Sequence, residues 1–282
     1  MTPIYITDLD HTFLRSDHSI SAYTQKIWNE KRSNSILTIA TARSYSKSCE
    51  FLSALHLEAP LILLDGAMVV SPDKELIDIK TITKEIGDCV INEGAKYGIY
   101  PFVIGLKDKE LNEAFRYTKQ LNPLQSHVLN NYKNDPRLEY HRELTALEMT
   151  LKIVYFGSLE TLQPLTQHLQ SVFSDTLEYK LSPEKYSEGY FLTILHKDAD
   201  KSHALETVCS YMQRDIADVT VFGDSLNDIG MFKKSGKAIA VKNALDEVKE
   251  FADVILPHTN DEDAVARYLS KEVANPKYSR VK

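Results

Sequence analysis

The fold is decided by Ile4-Tyr5-Ile6-Thr7-Asp8-Leu9-Asp10-His11-Thr12, a short apolar run that ends in two aspartates one residue apart. A buried strand avoids carboxylates, because burial and mutual repulsion both penalise their charged forms. Two acids where such a strand stops call for a cation, or for a ligand that brings one. In an open α/β sheet the carboxyl end of a strand is also where ligands bind.

Outward from this stretch, the first third of the chain alternates strand and helix. Ser19 or Ser21 is placed to cap a helix through about Asn34, with Ile20, Tyr23, Ile27 and Trp28 near helical spacing. Ile36–Ala40 reads as a second strand, Ser44 as the cap of a helix to about Leu55, and Pro60–Leu64 as a third strand. The last third repeats the pattern. Helices are expected over Lys201–Arg214, Asp228–Lys234, Ala244–Phe251 and Asp261–Leu269. Strands are expected over Val219–Phe222, Ala238–Val241 and Val254–Leu256, and Ser270–Lys282 reads as a polar tail. Continuous apolar strands separated by helices imply a parallel sheet covered on both faces.

The middle differs, being richer in tyrosine and in long polar stretches. Helices are expected near Lys84–Lys96 and Leu159–Phe173, and strands near Tyr100–Ile104, Thr150–Phe156, Glu178–Leu181 and Tyr190–Leu195. The sequence therefore predicts an α/β, doubly wound parallel-sheet core of Rossmann-like type, carrying an inserted α+β domain. The expected division is 1–82 and 190–282 for the core and 83–189 for the insert, with crossings near Thr81–Thr83 and Ser187–Gly189.

Composition narrows the function. The 282 residues are 43% hydrophobic and 26% charged, the range of a globular protein, and suffice for one large domain or two ordinary ones. A formal charge of −7 argues against broad nucleic-acid or anionic-membrane binding. Cys49, Cys89 and Cys209 stand far apart with no Cys-x-x-Cys pair, a pattern of reduced thiols in a cytoplasmic protein. No signal peptide is read ahead of the first strand, and no apolar run reaches the roughly 18–20 residues that span a bilayer.

Polar clusters follow the core strands: Asp8 and Asp10 after the first, Thr41-Ala42-Arg43 after the second, Lys201 opening the helix after the insert, and Gly223-Asp224-Ser225-Leu226-Asn227-Asp228 after Val219–Phe222. Singly, each has an ordinary reading as a cap, a turn or a solvated charge. Their joint order on one sheet does not. Together they resemble the four motifs of the haloacid dehalogenase superfamily, and the position of the insert resembles its Cof-type, class IIB subgroup. Ile39-Ala40-Thr41-Ala42-Arg43, Leu63-Leu64-Asp65-Gly66-Ala67 and Lys201-Ser202-His203-Ala204-Leu205 strengthen the likeness. Two positions depart from it: Ala42 stands where the family usually has glycine, and Asp65 where it usually has asparagine.

The resemblance implies a Mg²⁺-dependent phosphatase acting on a small phosphate monoester, a sugar phosphate first. In it Asp8 is the nucleophile and a metal ligand. Asp10 is the general acid and base, and a metal ligand through its main-chain carbonyl. Asp224 and Asp228 complete the metal set, and Thr41, Ala42, Arg43, Lys201 and Asn227 contact substrate or phosphate, with a surface salt bridge the alternative for Arg43 and orientation of the acidic loop the alternative for Asn227. The insert would act as a cap that chooses the substrate, its tyrosines (Tyr97, Tyr100, Tyr132 and Tyr186 among them) being either ring-stacking or packing residues. A sugar phosphomutase and a non-catalytic phosphate-ligand binder are the alternatives, and a monomer or homodimer is expected. No Gly-x-x-x-x-Gly-Lys-[Ser/Thr] occurs, which excludes a P-loop nucleotidase.

Overall fold

The computed structural model describes residues 2–184 and 189–274. It divides into two units, Met1–Asp78 with Asp200–Lys282, and Ile79–Ala199.

The first unit begins with β1 (Ile4–Thr7), α1 (Ala22–Lys31), β2 (Ile36–Ile39), α2 (Tyr45–Leu52), β3 (Leu61–Leu63), β4 (Met68–Val70) and β5 (Leu76–Ile79). The second unit holds α3 (Lys84–Lys96), β6 (Phe102–Leu106), β7 (Glu113–Tyr117), α4 (Pro123–Asn131), β8 (Leu138–Tyr140), β9 (Met149–Gly157), α5 (Leu159–Phe173), β10 (Leu177–Pro183) and β11 (Tyr190–His196). The first unit resumes with α6 (Lys201–Tyr211), β12 (Val219–Gly223), α7 (Ile229–Lys234), β13 (Lys237–Ala240), α8 (Asp246–Lys249), β14 (Val254–Ile255) and α9 (Ala264–Ala274).

Five strands of the first unit form one parallel sheet in the order β14-β13-β12-β1-β2. The fold is the expected α/β type with a parallel-sheet core. Ile4, Ile6 and Leu9 are fully buried, as are Leu37 and Ile39 on the neighbouring strand. Each such side chain contributes about 1.5–3 kcal/mol by leaving water. From β1 the chain moves to one side through β2, and on its return to the other through β12, β13 and β14. The boundary between β1 and β12 is thus the topological switch point, the place at the strands' carboxyl ends where open α/β sheets bind ligands. The register pairs Thr7 with Phe222, so Asp8 and Gly223-Asp224 emerge side by side.

The third strand departs from expectation. Among the described residues, β3 meets the main sheet through a parallel bridge between Ala40 and Ile62, and it forms a separate three-stranded sheet with β4 and β5. Antiparallel pairing of Leu61–Leu63 with Met68–Val70 takes the rest of its ladder.

The second unit carries a six-stranded sheet in the order β10-β11-β9-β6-β7-β8, antiparallel except where β7 meets β8. Period-two alternation sends Ile153 and Tyr155 to a cluster with Leu162 and Leu165 of α5, while Val154 joins Phe102 and Phe115 in another. The observed divisions fall at Ile79 and Asp200 rather than at residues 83 and 190. The larger difference has a plain cause: β11 pairs with β9 and β10, so Tyr190–His196 belongs to the insert's sheet and not to the core. Ser187, and Tyr186 beside it, lie outside the described residues, as does the tail beyond residue 274. The helix before that tail runs past Leu269 to Ala274.

Candidate active site

Three loops of the first unit converge at the switch point. After β1 the chain makes a tight turn over Leu9–Phe13, closed by the Leu14 amide donating to the Leu9 carbonyl at 2.8 Å, with His11 in the left-handed region at φ 60°. The Asp8 amide donates to the Phe222 carbonyl at 2.9 Å, which continues the β1–β12 ladder one residue beyond the strand. Thr12, buried in the same turn, donates its hydroxyl to Asp224 Oδ1 at 3.0 Å.

After β12, the Asp224 and Ser225 amides donate to Asp228 Oδ2 at 3.0 and 3.1 Å, folding the acidic loop onto itself. Gly223 makes this possible: a Cβ there would lie 2.6 Å from the Asp228 side chain. Asp228 is entirely buried, and Asp8 and Asp224 nearly so.

Lys201 joins these acids from the first turn of α6. Asp200 caps that helix, its Oδ1 accepting from the Ser202 and His203 amides at 2.7 and 3.2 Å. The ammonium of Lys201 donates to Asp8 Oδ1 at 2.6 Å and to Asp228 Oδ1 at 2.7 Å, and the side chain has no exposed surface. Burial opposes the charge on Lys201, but Asp228 and Asp8 outweigh it and raise its pKa. Burial drives the Asp8 carboxyl well above its ordinary value, and Asp228 and Asp224 push the same way while Lys201 restrains it. Asp8 Oδ2 takes no hydrogen bond from a described residue.

The charges of this cluster do not balance. Asp8, Asp224 and Asp228 each offer an oxygen, all within 4.8 Å of one another, against the single charge of Lys201. With all three ionised, two negative charges remain in a buried place, and a dication would neutralise them. The donors are hard oxygens, the kind Mg²⁺ prefers. The residues fit that ion.

Thr41, Ala42 and Arg43 follow β2. The Thr41 hydroxyl accepts from the Arg43 amide at 3.1 Å, while Leu64 and Asp65 donate their amides to the carbonyls of Arg43 and Thr41, each at 3.0 Å. Thr41 is fully buried and Ala42 half-buried. The Arg43 side chain turns to Asp10: Nε reaches Oδ2 at 2.8 Å and Nη2 reaches Oδ1 at 2.5 Å. Asn227, expected to contact substrate or orient the acidic loop, donates to Asp65 Oδ1 at 2.8 Å and accepts from the Ser225 hydroxyl at 2.7 Å. Asp65 is buried at φ 59°, a left-handed conformation that Asp and Asn adopt more readily than most residues. Its carboxylate therefore serves as the acceptor for Asn227.

A family description, haloacid dehalogenase-like hydrolase, matches residues 5–269. The chain belongs to this family. As a haloacid dehalogenase-like hydrolase it resembles the 5-amino-6-(5-phospho-D-ribitylamino)uracil phosphatase YitU of Bacillus subtilis, with 22% identity covering 94% of this chain and 95% of that one. It is 27% identical to a phosphoglycolate phosphatase of Methanopyrus kandleri, covering 96% of this chain and 97% of the relative. The crystal structure of a Thermotoga maritima protein superposes with a TM-score of 0.78 at 22% identity, covering 96% of this chain and 97% of that one.

The structure thus gathers Asp8, Lys201, Asp224 and Asp228 into one cluster and sets Asp10 with Arg43. Sequence reasoning named no role for Gly66 and gave Thr12 and Gly223 only the ordinary readings of a cap and a turn residue, although all three stand inside the motifs. Gly66 has φ +97°, and a Cβ there would lie 2.2 Å from the Asp200 carbonyl oxygen, so the β3–β4 turn presses on the start of α6. A glycine beside a family motif was the available signal. His18 and Phe51, which meet Arg43, carried none.

Proposed function

We propose that this hydrolase is a Mg²⁺-dependent phosphatase of small phosphate monoesters, sugar phosphates first among them, working through an aspartyl-phosphate on Asp8. The observation that carries the reading is the buried set of three carboxylates, two of them bound to one lysine, with an oxygen of Asp8 left uncommitted. The relatives' names support the reaction, and the phosphoribityl group in one of them supports a sugar-like alcohol.

Asp8, Asp224 and the main-chain carbonyl of Asp10 would hold the ion. Asp228 would support it while fixing Lys201 and the loop amides. When bound, the ion neutralises charge between Asp8 and the phosphate and in the transition state. Asp8 Oδ2 attacks phosphorus in line, and the electron pair of the breaking P–O bond stays on the ester oxygen. Asp10 gives that oxygen a proton, then takes one from the water that cleaves the aspartyl-phosphate, which regenerates both residues and releases phosphate. Lys201 offsets phosphoryl charge, and the Thr41 hydroxyl and neighbouring amides are donors for its oxygens. We place the protein in the cytoplasm on its thiol pattern, with no nucleic-acid or membrane partner. Among the described residues no helix is long and apolar enough to cross a membrane.

A panel of phosphate esters assayed for phosphate release with and without Mg²⁺ tests the reading. Release from at least one sugar phosphate, abolished by chelation, is expected. No release above background from any ester would overturn it.

A further inference from the structure

The proposed chemistry gives Asp10 two proton transfers, yet its side chain is 31% exposed and its carboxylate torsion is intrinsically broad. Something must hold it. The Arg43 guanidinium grips both carboxylate oxygens through Nε and Nη2, a fork that fixes the carboxylate plane as well as its place. Arg43 is fixed in turn. Its guanidinium carbon lies 4.3 Å from the centroid of the Phe51 ring, on α2, and its backbone is tied to Thr41 and Leu64. His18 closes the group, with Nδ1 3.1 Å from Arg43 Nη2 and its ring 6.2 Å from that of Phe51.

We infer that Arg43, stacked on Phe51, is a positioning residue that aims the carboxyl of Asp10 at the ester oxygen, rather than a ligand of the phosphate. This rests on the phosphatase reading and adds to it a specific element. The loop after β2 and the ring on α2 set the angle of the proton donor. Lysine keeps the charge at position 43 but lacks the planar fork, so the two residues are not equivalent here. A phosphate-binding role would tolerate lysine; a positioning role would not.

The test compares wild type with Arg43→Lys, Arg43→Gln and Phe51→Leu, the last keeping bulk while removing the aromatic face. Substrates are p-nitrophenyl phosphate, whose leaving group departs without a proton, and the best sugar phosphate of the panel. General acid–base catalysis contributes typically about 10²- to 10⁴-fold, so a misaimed Asp10 should lower kcat on the sugar phosphate by roughly ten- to a hundredfold in both Arg43 variants. KM for the sugar phosphate and inhibition by inorganic phosphate should stay near wild type. With p-nitrophenyl phosphate the first turnover should stay fast while water attack slows, giving a burst of p-nitrophenol equal to the enzyme. Phe51→Leu should show the same pattern more weakly. If KM and the inhibition constant for phosphate rise while kcat holds, Arg43 binds phosphate and the inference is overturned. It is equally overturned if Arg43→Lys matches wild type, or if first turnovers fall alike on both substrates. A wild-type protein that releases no phosphate from any ester overturns the phosphatase reading itself, and the inference with it.

Discussion

Gly66→Ala should damage both stability and turnover, and the structure says by how much. The new Cβ would sit 2.2 Å from the Asp200 oxygen, 2.3 Å from its carbonyl carbon and 2.9 Å from the Lys201 amide nitrogen. Ordinary carbon contacts lie near about 3.5 Å, so the turn and the start of α6 must part by roughly 1 Å. All three obstacles are backbone atoms and cannot swing aside. Overpacking of this kind costs about 1–3 kcal/mol, and a left-handed conformation costs an alanine about 1–2 kcal/mol more. A loss of roughly 2–5 kcal/mol is expected. Shifting α6 also shifts Lys201, and a displacement of about 1 Å in such a group can cost on the order of a hundredfold in rate. Gly98→Ala is the comparator: φ there is +74° with nothing within 4 Å, so only the backbone cost applies. Urea unfolding by far-ultraviolet circular dichroism gives the stabilities. Trp28, the only tryptophan, reports on the first unit by fluorescence. Steady-state assays give kcat. A Gly66→Ala protein that loses no more stability than Gly98→Ala and turns over at the wild-type rate would refute the reasoning.

Asp8→Asn keeps the shape of the side chain and removes the oxygen proposed to attack; turnover should vanish while the circular dichroism spectrum stays that of wild type, and phosphate release at the native rate would count against Asp8 as nucleophile. The raised pKa of Asp8 means that the metal-free folded protein holds a proton where the unfolded chain has lost it. Its contribution to stability is therefore full in acid, below the ordinary carboxylate range, and is lost as pH rises through the raised value. Melting temperatures measured in chelator should rise as pH falls from neutrality toward 5. Added Mg²⁺ should stabilise most at the neutral end, and a metal effect independent of pH would contradict the charge imbalance.

Much of the core was legible because its signals are local. Ile4–Thr7 and Ile36–Ile39 are continuous apolar runs, and the acids that follow β1 and β12 are contiguous in sequence. The motif order then placed Asp8, Lys201, Asp224 and Asp228 together. Orientation was less legible. Arg43 was expected to contact substrate or form a salt bridge; it does pair with a carboxylate, but that the partner is Asp10 is set by a loop path that no spacing rule encodes. Asn227 likewise spends its amide on Asp65. Lys201, read alone, is a surface lysine; only the Asp200 cap and the two carboxylates that receive it explain its burial. In the insert, β7 and β8 were missed because Glu113–Tyr117 and Leu138–Tyr140 are short and flanked by polar stretches. The helix between them, Pro123–Asn131, has an Asn122–Gln125 capping box that was readable in principle.

The contact between Lys201 and Asp8 spans 193 residues. Synthesis proceeds at about 5–20 residues per second, so the opening aspartates precede their lysine by roughly 10–40 s. Throughout that interval the nascent chain carries the Asp8 carboxylate without its cationic partner, and β1 without the strand it pairs with on the β12 side. Closing so long a loop is also a slow, non-local event. On the proposed mechanism, catalytic competence is therefore one of the last acquisitions of the chain, and a fragment ending before α6 should not hydrolyse an ester by this route.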